Sequence, residues 1–201
     1  MKGFLKKDFY LTLGYCRSIF LIVIVFMAIG CFQPDNYFFV CYPAIMVSLV
    51  PVSLFSYDES EHFCPYAAAL PQPRSTYVSA KYVISILYGL IFVVVIVLAQ
   101  LAFAKQRGAD VLLLAAVLLL LALFTPAVVL PFMFKFGVQK GRIVYYIVIG
   151  LATAGVILVM NRSASARLDG SLLFILMAAG VIILFIVSWL LSVRFFSKRE
   201  F

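Results

Sequence analysis

The side chains best suited to chemistry are concentrated between Asp58 and His62, which hold three of the chain's eight acidic residues. His62 is the only histidine, so the stretch lacks the second histidine of an H-E-x-x-H metallopeptidase motif. The four cysteines form no C-x-x-C pair of the kind that indicates zinc. The sequence therefore predicts no metal, no cofactor and no catalytic centre here.

The long apolar runs of the chain are also poor in reactive groups. Their middle parts carry hydroxyls but no Asp, Glu, Lys or His, the residues that usually relay protons in ion-driven transporters. A serine or cysteine nucleophile there would have no base to activate it, so an intramembrane hydrolase is the weakest alternative. Because the sequence contains no G-x-x-x-x-G-K-[ST] motif, any ATP-driven work requires another subunit.

The elements that carry these residues are membrane helices. The chain is 66% hydrophobic and 12% charged with a mean hydropathy of +1.15, whereas soluble domains are about 25% charged. A water-facing surface cannot be built from so few charges. We therefore expect an all-α, polytopic membrane protein that forms one transmembrane domain over residues 1–201.

Six apolar runs are long enough to cross about 30 Å of hydrocarbon as helices. The sequence shows no alternating pattern of a barrel, and an isolated strand would leave its backbone groups unpaired in lipid. The predicted spans cover residues 13–32, 37–55, 82–103, 111–134, 143–160 and 172–193.

Basic residues predict the orientation of these spans. With a cytoplasmic N-terminus, twelve of the 16 Lys and Arg residues fall on the inner side, as the positive-inside rule requires. Both termini are then cytoplasmic. The net charge of +8 is explained by topology and attraction to anionic lipid, and does not indicate nucleic-acid binding.

Residues 1–13 have the pattern of an amphipathic helix that lies at the membrane surface. A helical wheel places Leu5, Phe9 and Leu13 on one face and Lys6, Lys7 and Tyr10 on another. We expect a turn near Gly14 before the first span. The alternative is a frayed continuation of that span.

Four prolines are predicted to bend the spans, because proline frees a backbone carbonyl within a helix. Pro43 and Pro51 lie in the second predicted span, and Pro126 and Pro131 in the fourth. Such bends suit a gate, and they also suit static packing.

The only sizeable polar loop covers residues 56–81. Ser60 is suited to cap a short helix that Pro71 ends, with an apolar set of Phe63, Tyr66, Ala67 and Leu70. Ser75 is suited to cap a second helix that runs through Tyr77 and Lys81 into the third span. An apolar face bordered by charges suggests a surface for docking a partner. The alternative is a loop that folds back on its own bundle.

This layout resembles a known family. The opening MKGFLKKDFY, the string Ser56-Tyr57-Asp58-Glu59, the string YAAALP at residues 66–71 and the string SAKY at residues 79–82 are similar to bacterial ATP-binding-cassette exporter permeases of the second type (ABC-2 family). The resemblance covers essentially the whole chain. It implies a bacterial cell-membrane half-transporter, in which two identical or homologous permeases pair and bind two ATP-hydrolysing subunits.

The resemblance also implies that the loop between the second and third spans holds the coupling helix that contacts the ATPase. Two departures, Pro65 and Pro73, are expected to shorten or bend that helix. The residues assigned to the contact are Asp58, Glu59, Glu61, Phe63, Tyr66, Leu70 and Arg74.

The favoured function is therefore a non-enzymatic permease subunit, driven by a separate ATPase, that exports a peptide, lipid or hydrophobic drug. The alternative is a passive membrane scaffold or immunity-type protein that transports nothing. A Walker-type ATPase that co-purifies with the chain distinguishes the two.

Overall fold

The computed structural model describes residues 2–32, 38–69, 73–103, 108–141, 143, 146–147, 150 and 170–198. The fold built from them is helical, and residues 138–141 are also helical. The helices are α1 (Lys2–Tyr15), α2 (Arg17–Phe32), α3 (Phe38–Ser48), α4 (Val50–Ser60), α5 (Phe63–Ala69), α6 (Arg74–Phe103), α7 (Gly108–Phe136) and α8 (Gly170–Lys198).

Within the described residues, four helices are long and apolar enough to cross a membrane: Phe38–Ser60, Arg74–Gln100, Val111–Phe136 and Phe174–Lys198. A bent pair, Gly3–Tyr15 with Arg17–Gly30, makes a fifth if it is one span. The predicted span 143–160 lies almost wholly outside the described residues. The chain is thus an all-helical protein with several candidate membrane spans.

The bend between α1 and α2 is 68° and lies at Cys16, two residues after the predicted turn at Gly14. The Cys16 amide still donates to the Thr12 carbonyl at 3.0 Å, and the Cys16 carbonyl accepts the first bond of α2 from Ile19 at 3.0 Å. The backbone groups at the bend are therefore paired, and α1 is free to run in a different direction from α2.

The four predicted bend prolines occupy different settings. Pro43 lies inside α3, while Pro51 follows a break at Leu49 that separates α3 from α4. This position suits proline, since the amides of the first helical turn have no intrahelical partner. Pro126 and Pro131 both lie inside α7, which continues across them to Phe136.

Helix α6 begins at Arg74, next to the predicted cap Ser75, and continues into the third predicted span, which starts at residue 82. Its 30 residues extend for about 45 Å, more than the hydrocarbon thickness. The first turns of α6 therefore extend beyond a bilayer-long segment, and Lys81 lies within the helix, as predicted.

Helix α7 packs against α3, α6 and α8, and α6 also packs against α8. The C-terminal parts of α7 and α8 meet at Phe134 and Phe196, whose rings are 5.5 Å apart. Tyr77 near the start of α6 lies 5.2 Å from the Phe196 ring. One end of the bundle, here called the α5 end, thus gathers the end of α4, α5, the start of α6 and the ends of α7 and α8.

Aromatic side chains dominate the core at the α5 end. Its largest fully buried members are Phe55, Tyr77, Phe134 and Phe196. By contrast, the outward face of α8 is apolar and exposed, as expected of a lipid-facing helix.

Candidate functional site

The turn between α4 and α5 is held by the last residues of α4. The Ser60 hydroxyl donates to the Tyr57 carbonyl at 2.8 Å, and the Glu61 amide donates to the same oxygen at 3.0 Å. His62 then adopts a φ of 53°, in the left-handed region, before α5 starts at Phe63. The prediction that Ser60 caps the short helix, here α5, is wrong, because its hydroxyl donates to the Tyr57 carbonyl within α4.

Helix α5 has one buried and one exposed side. Cys64 and Ala67, three residues apart, are 2% and 3% exposed, whereas Tyr66 is 60% exposed. Pro65 falls in the first turn of this seven-residue helix, where proline removes no intrahelical hydrogen bond. The described helix α5 therefore accommodates Pro65, and it presents the Tyr66 ring outward.

Tyr77 of α6 lies directly beneath α5. Its hydroxyl donates to Asp58 Oδ2 at 2.7 Å and lies 3.9 Å from Cys64 Sγ. Its ring is 5.7 Å from the Phe4 ring and 6.3 Å from the Phe63 ring. Tyr77 thus joins α1, the end of α4 and α5 around one buried side chain.

Four charged side chains next to Tyr77 form what we call the four-charge cluster: Lys7, Asp8, Asp58 and Lys81. Lys7 Nζ lies 2.5 Å from Asp58 Oδ1, and Lys81 Nζ lies 2.7 Å from Asp58 Oδ2. Lys81 Nζ also donates to Asp8 Oδ1 at 2.9 Å and faces Oδ2 at the same distance. Lys7 and Asp8 complete the ring at 3.5 Å.

The cluster is almost removed from solvent. The side chains of Asp8, Asp58 and Lys81 are at most 1% exposed, and that of Lys7 is 26% exposed. A buried charge is tolerated when its partners surround it, and removal of one partner leaves an uncompensated charge. Because the four residues come from α1, α4 and α6, the cluster fixes the relative positions of these three helices.

Glu59 connects the same turn to the end of α7. Its Oε2 accepts a hydrogen bond from the Val138 amide at 2.6 Å. Gly137, with a φ of +81°, ends α7 and donates to the Met133 carbonyl at 2.9 Å. A Cβ at Gly137 would lie 2.9 Å from Glu59 Oε1, so a side chain there would displace the Glu59 carboxylate, and the positive φ also favours glycine.

An open cleft of about 460 Å³ lies between the end of α4 and this turn. Its polar and backbone groups suit contact with another protein segment better than an apolar ligand. The cleft is lined by Ser56, Glu59, Ser60, Phe136, Gly137, Val138, Gln139 and Lys140.

Of the acids assigned to the partner contact, only Glu61 is freely presented. Asp58 is 1% exposed and faces the interior, and Glu59 is half-buried against Val138. These two acids therefore position the turn from within.

Of the other assigned residues, Tyr66 is exposed and Phe63 is half-buried under Lys7, whose ammonium lies 3.5 Å from the Phe63 ring centroid. Arg74 is half-buried and donates to the Ser197 carbonyl of α8 at 3.0 Å. Leu70 lies outside the described residues. Glu61 and Tyr66 thus remain as the outward members of the assigned set.

Lys7, Asp8 and Lys81 are site residues that the sequence reasoning did not identify. The face of α1 that packs on the bundle contains Phe4, Asp8 and Thr12, spaced by four, whereas Phe9 and Leu13 of the predicted apolar face are exposed. The sequence offered one indication of this site: Asp8 is the only acid in α1, a helix that otherwise carries lysines. Its partner was not predictable, because Lys81 lies 73 residues away.

Among the side chains that the structure describes, no three His, Cys, Asp or Glu converge as metal ligands.

Comparison with known proteins agrees with a membrane transport component. No curated protein and no solved structure is significantly similar to the chain. Residues 3–197 match the family described as ABC-2 family transporter protein. This match covers nearly the whole helical bundle, and the chain therefore belongs to the ABC-2 family of transporter proteins, as an ABC-2 type permease.

Proposed function

We propose that the chain is the permease subunit of an ATP-binding-cassette exporter and that α5 is the helix through which a separate ATPase acts on it. The observation that carries the proposal is the geometry of α5. Its outward face presents Tyr66, and its inward face rests on Tyr77 and the four-charge cluster.

Such an arrangement suits transmission of force. A push on Tyr66 bears on α5, which contacts Tyr77 of α6 through Cys64. Asp58 and the two lysines then couple α6 to α1 and α4. Movement of the partner is thereby passed to three helices at once, and the proline-containing helices α3 and α7 carry it further.

The rest of the transporter follows from this proposal. Two permeases, identical or homologous, pair in a bacterial cell membrane with two ATPase subunits. Each permease has six spans with both termini cytoplasmic, and α1 lies along the inner surface with Phe9, Tyr10 and Leu13 toward lipid. The cargo proposed is a peptide, lipid or hydrophobic drug, in keeping with the apolar bundle.

Stimulation of the partner ATPase tests the role of α5. Tyr66→Ala is expected to reduce stimulation of the co-expressed ATPase at least tenfold, because aromatic anchors commonly dominate interfaces. The measurement is ATP hydrolysis by the purified complex in lipid vesicles, with insertion of the variant verified by its recovery from membranes.

Tyr10→Ala is the matched control. Tyr10 is 63% exposed at the same end of the bundle and Tyr66 is 60% exposed, but Tyr10 belongs to α1. Stimulation should stay unchanged in this variant. Equal stimulation in the Tyr66→Ala and wild-type complexes would refute the assignment of α5, and failure of any ATPase to co-purify would favour the passive scaffold.

A further inference from the structure

The C-terminal ends of α7 and α8 carry a group of cations and rings separate from α5. We call it the basic-aromatic patch: Lys135, Phe136, Arg194, Phe195 and Lys198. Lys135 Nζ lies 4.8 Å from the ring centroid of Phe136 and 5.1 Å from that of Phe195. The two rings hold the ammonium close to the bundle by cation-π attraction.

The patch continues along one face of α8. Arg194 and Lys198 are four residues apart, and Phe195 and Lys198 are three apart, so all three share a face of the helix. Lys135, Arg194 and Lys198 are all exposed. Three positive charges and two aromatic rings thus meet where α7 and α8 end.

These cations differ from the lysines of the four-charge cluster in having no acidic partner. Within the described part of the chain, no carboxylate lies within 4.0 Å of Lys135, Arg194 or Lys198. The described carboxylates at this end are engaged elsewhere or lie on the turn before α5. In the sequence, Arg199 and Glu200 follow and cancel each other.

An apolar surface leads away from the patch along α8. Ile182, Ile183, Ile186 and Leu190 are 52%, 61%, 51% and 51% exposed. A soluble anion would contact only the cations, whereas a phospholipid places its phosphate on the cations and its acyl chains along these side chains. The combination therefore matches an amphiphilic anion.

We infer that the basic-aromatic patch binds the headgroup of an anionic phospholipid, with the acyl chains along the exposed face of α8. Lys135, Arg194 and Lys198 contact the phosphate, and Phe136 and Phe195 lie at the boundary between headgroup and chains. The site depends neither on α5 nor on an ATPase.

Trp189, the only tryptophan, is a natural reporter for this site. It is 37% exposed and lies five residues before Arg194, about 7.5 Å along the helix. The purified chain is reconstituted in phosphatidylcholine vesicles that contain increasing fractions of phosphatidylglycerol with brominated chains, which quench a neighbouring tryptophan. Brominated phosphatidylcholine provides the baseline.

Phosphatidylglycerol is expected to quench Trp189 at a lower mole fraction than phosphatidylcholine. The double variant Lys135→Gln with Arg194→Gln should raise the half-quenching fraction of phosphatidylglycerol by about fivefold for each cation removed. The control variant Lys6→Gln with Arg17→Gln removes the same charge from exposed positions on α1 and α2. It should leave the half-quenching fraction of phosphatidylglycerol unchanged.

Two results would overturn the inference. One is equal quenching by the two brominated lipids in the wild-type chain, and the other is an equal shift in both double variants. Inorganic phosphate, compared with sodium chloride at equal ionic strength, should not displace the lipid. Displacement by phosphate alone would assign the patch to a soluble anion instead.

Discussion

Each ammonium of the four-charge cluster faces two carboxylates, and each carboxylate faces two ammonium groups. This alternation compensates most of the cost of withdrawing Lys81 and Asp8 from water. The cluster holds together only as a set, since every member is a partner of two others. Its members therefore matter for stability even though only Lys7 reaches solvent.

Removal of Lys81 tests this dependence. Lys81→Met should lower the free energy of unfolding by about 3–5 kcal/mol, because Asp8 loses its nearest cation while remaining buried. Thermal unfolding in detergent, followed by the loss of monodisperse protein, measures the effect. Lys6→Met, at an exposed position of α1, should change stability by less than about 0.5 kcal/mol.

Adding Asp8→Asn to Lys81→Met provides the decisive comparison. The double variant removes both charges of the pair, so it should recover part of the lost stability. Losses that simply add would show that Asp8 and Lys81 do not act together.

At the level of elements, α6 and α8 are joined by polar groups in an otherwise apolar contact. The Tyr82 hydroxyl lies 2.7 Å from both Ser188 Oγ and Ser192 Oγ, and Trp189 Nε1 donates to Ser79 Oγ at 3.1 Å. Ser188 and Ser192 are one helical turn apart and both are buried. Hydrogen bonds of this kind set the register of two helices in lipid, where apolar packing alone does not.

Tyr82→Phe should weaken the contact between α6 and α8. The change removes one hydroxyl without altering the ring, and it should cost about 1 kcal/mol, within the range of hydrogen bonds between membrane helices. Reversible unfolding in mixed detergent micelles gives the value. Tyr10→Phe, which alters an exposed hydroxyl on α1, should leave the unfolding midpoint unchanged. An equal loss of stability in the Tyr82→Phe and Tyr10→Phe variants would contradict the role of Tyr82.

The sequence predicted these elements better than their junctions. Hydropathy placed apolar helices at 37–55, 111–134 and 172–193, and the structure has candidate spans over most of each range. It did not place the break at Leu49, which depends on local hydrogen bonding and packing that a hydropathy average does not register. The start of α6 at Arg74 was within reach of the sequence, because Ser75 is suited to cap a helix there.

For the candidate site, too, the sequence predicted the element but not how its side chains are directed. The loop could be recognised from its acids and its YAAALP string, and it does form a short helix with an exposed Tyr66. The inward direction of Asp58 was not predictable, because it is set by Lys7 and Lys81, which are distant in sequence.

For the molecule as a whole, the described basic side chains share the α5 end. Arg17, Arg74 and Lys135 lie at helix ends there, with the four-charge cluster among them. Arg194 and Lys198, near the end of α8, follow the same pattern. The positive-inside rule therefore favours a cytoplasmic α5 end.

Fusions to reporter proteins test this orientation and the six-span topology. Alkaline phosphatase should be inactive when fused after Phe201 and active when fused after Arg107 or Arg162, since it folds only outside the cytoplasm. Green fluorescent protein at the same positions should give the opposite pattern. Phosphatase activity at Phe201 would exclude a cytoplasmic C-terminus.

The balance of charges in the four-charge cluster has a final consequence for how the protein would move. Two lysines and two aspartates sum to zero, so a displacement of the cluster across the membrane carries no net electrical work. An unpaired charge would instead exchange about 2.3 kcal/mol with a potential of roughly 100 mV. A displacement of the four-charge cluster itself is thus neither helped nor opposed by the voltage of an energised cell.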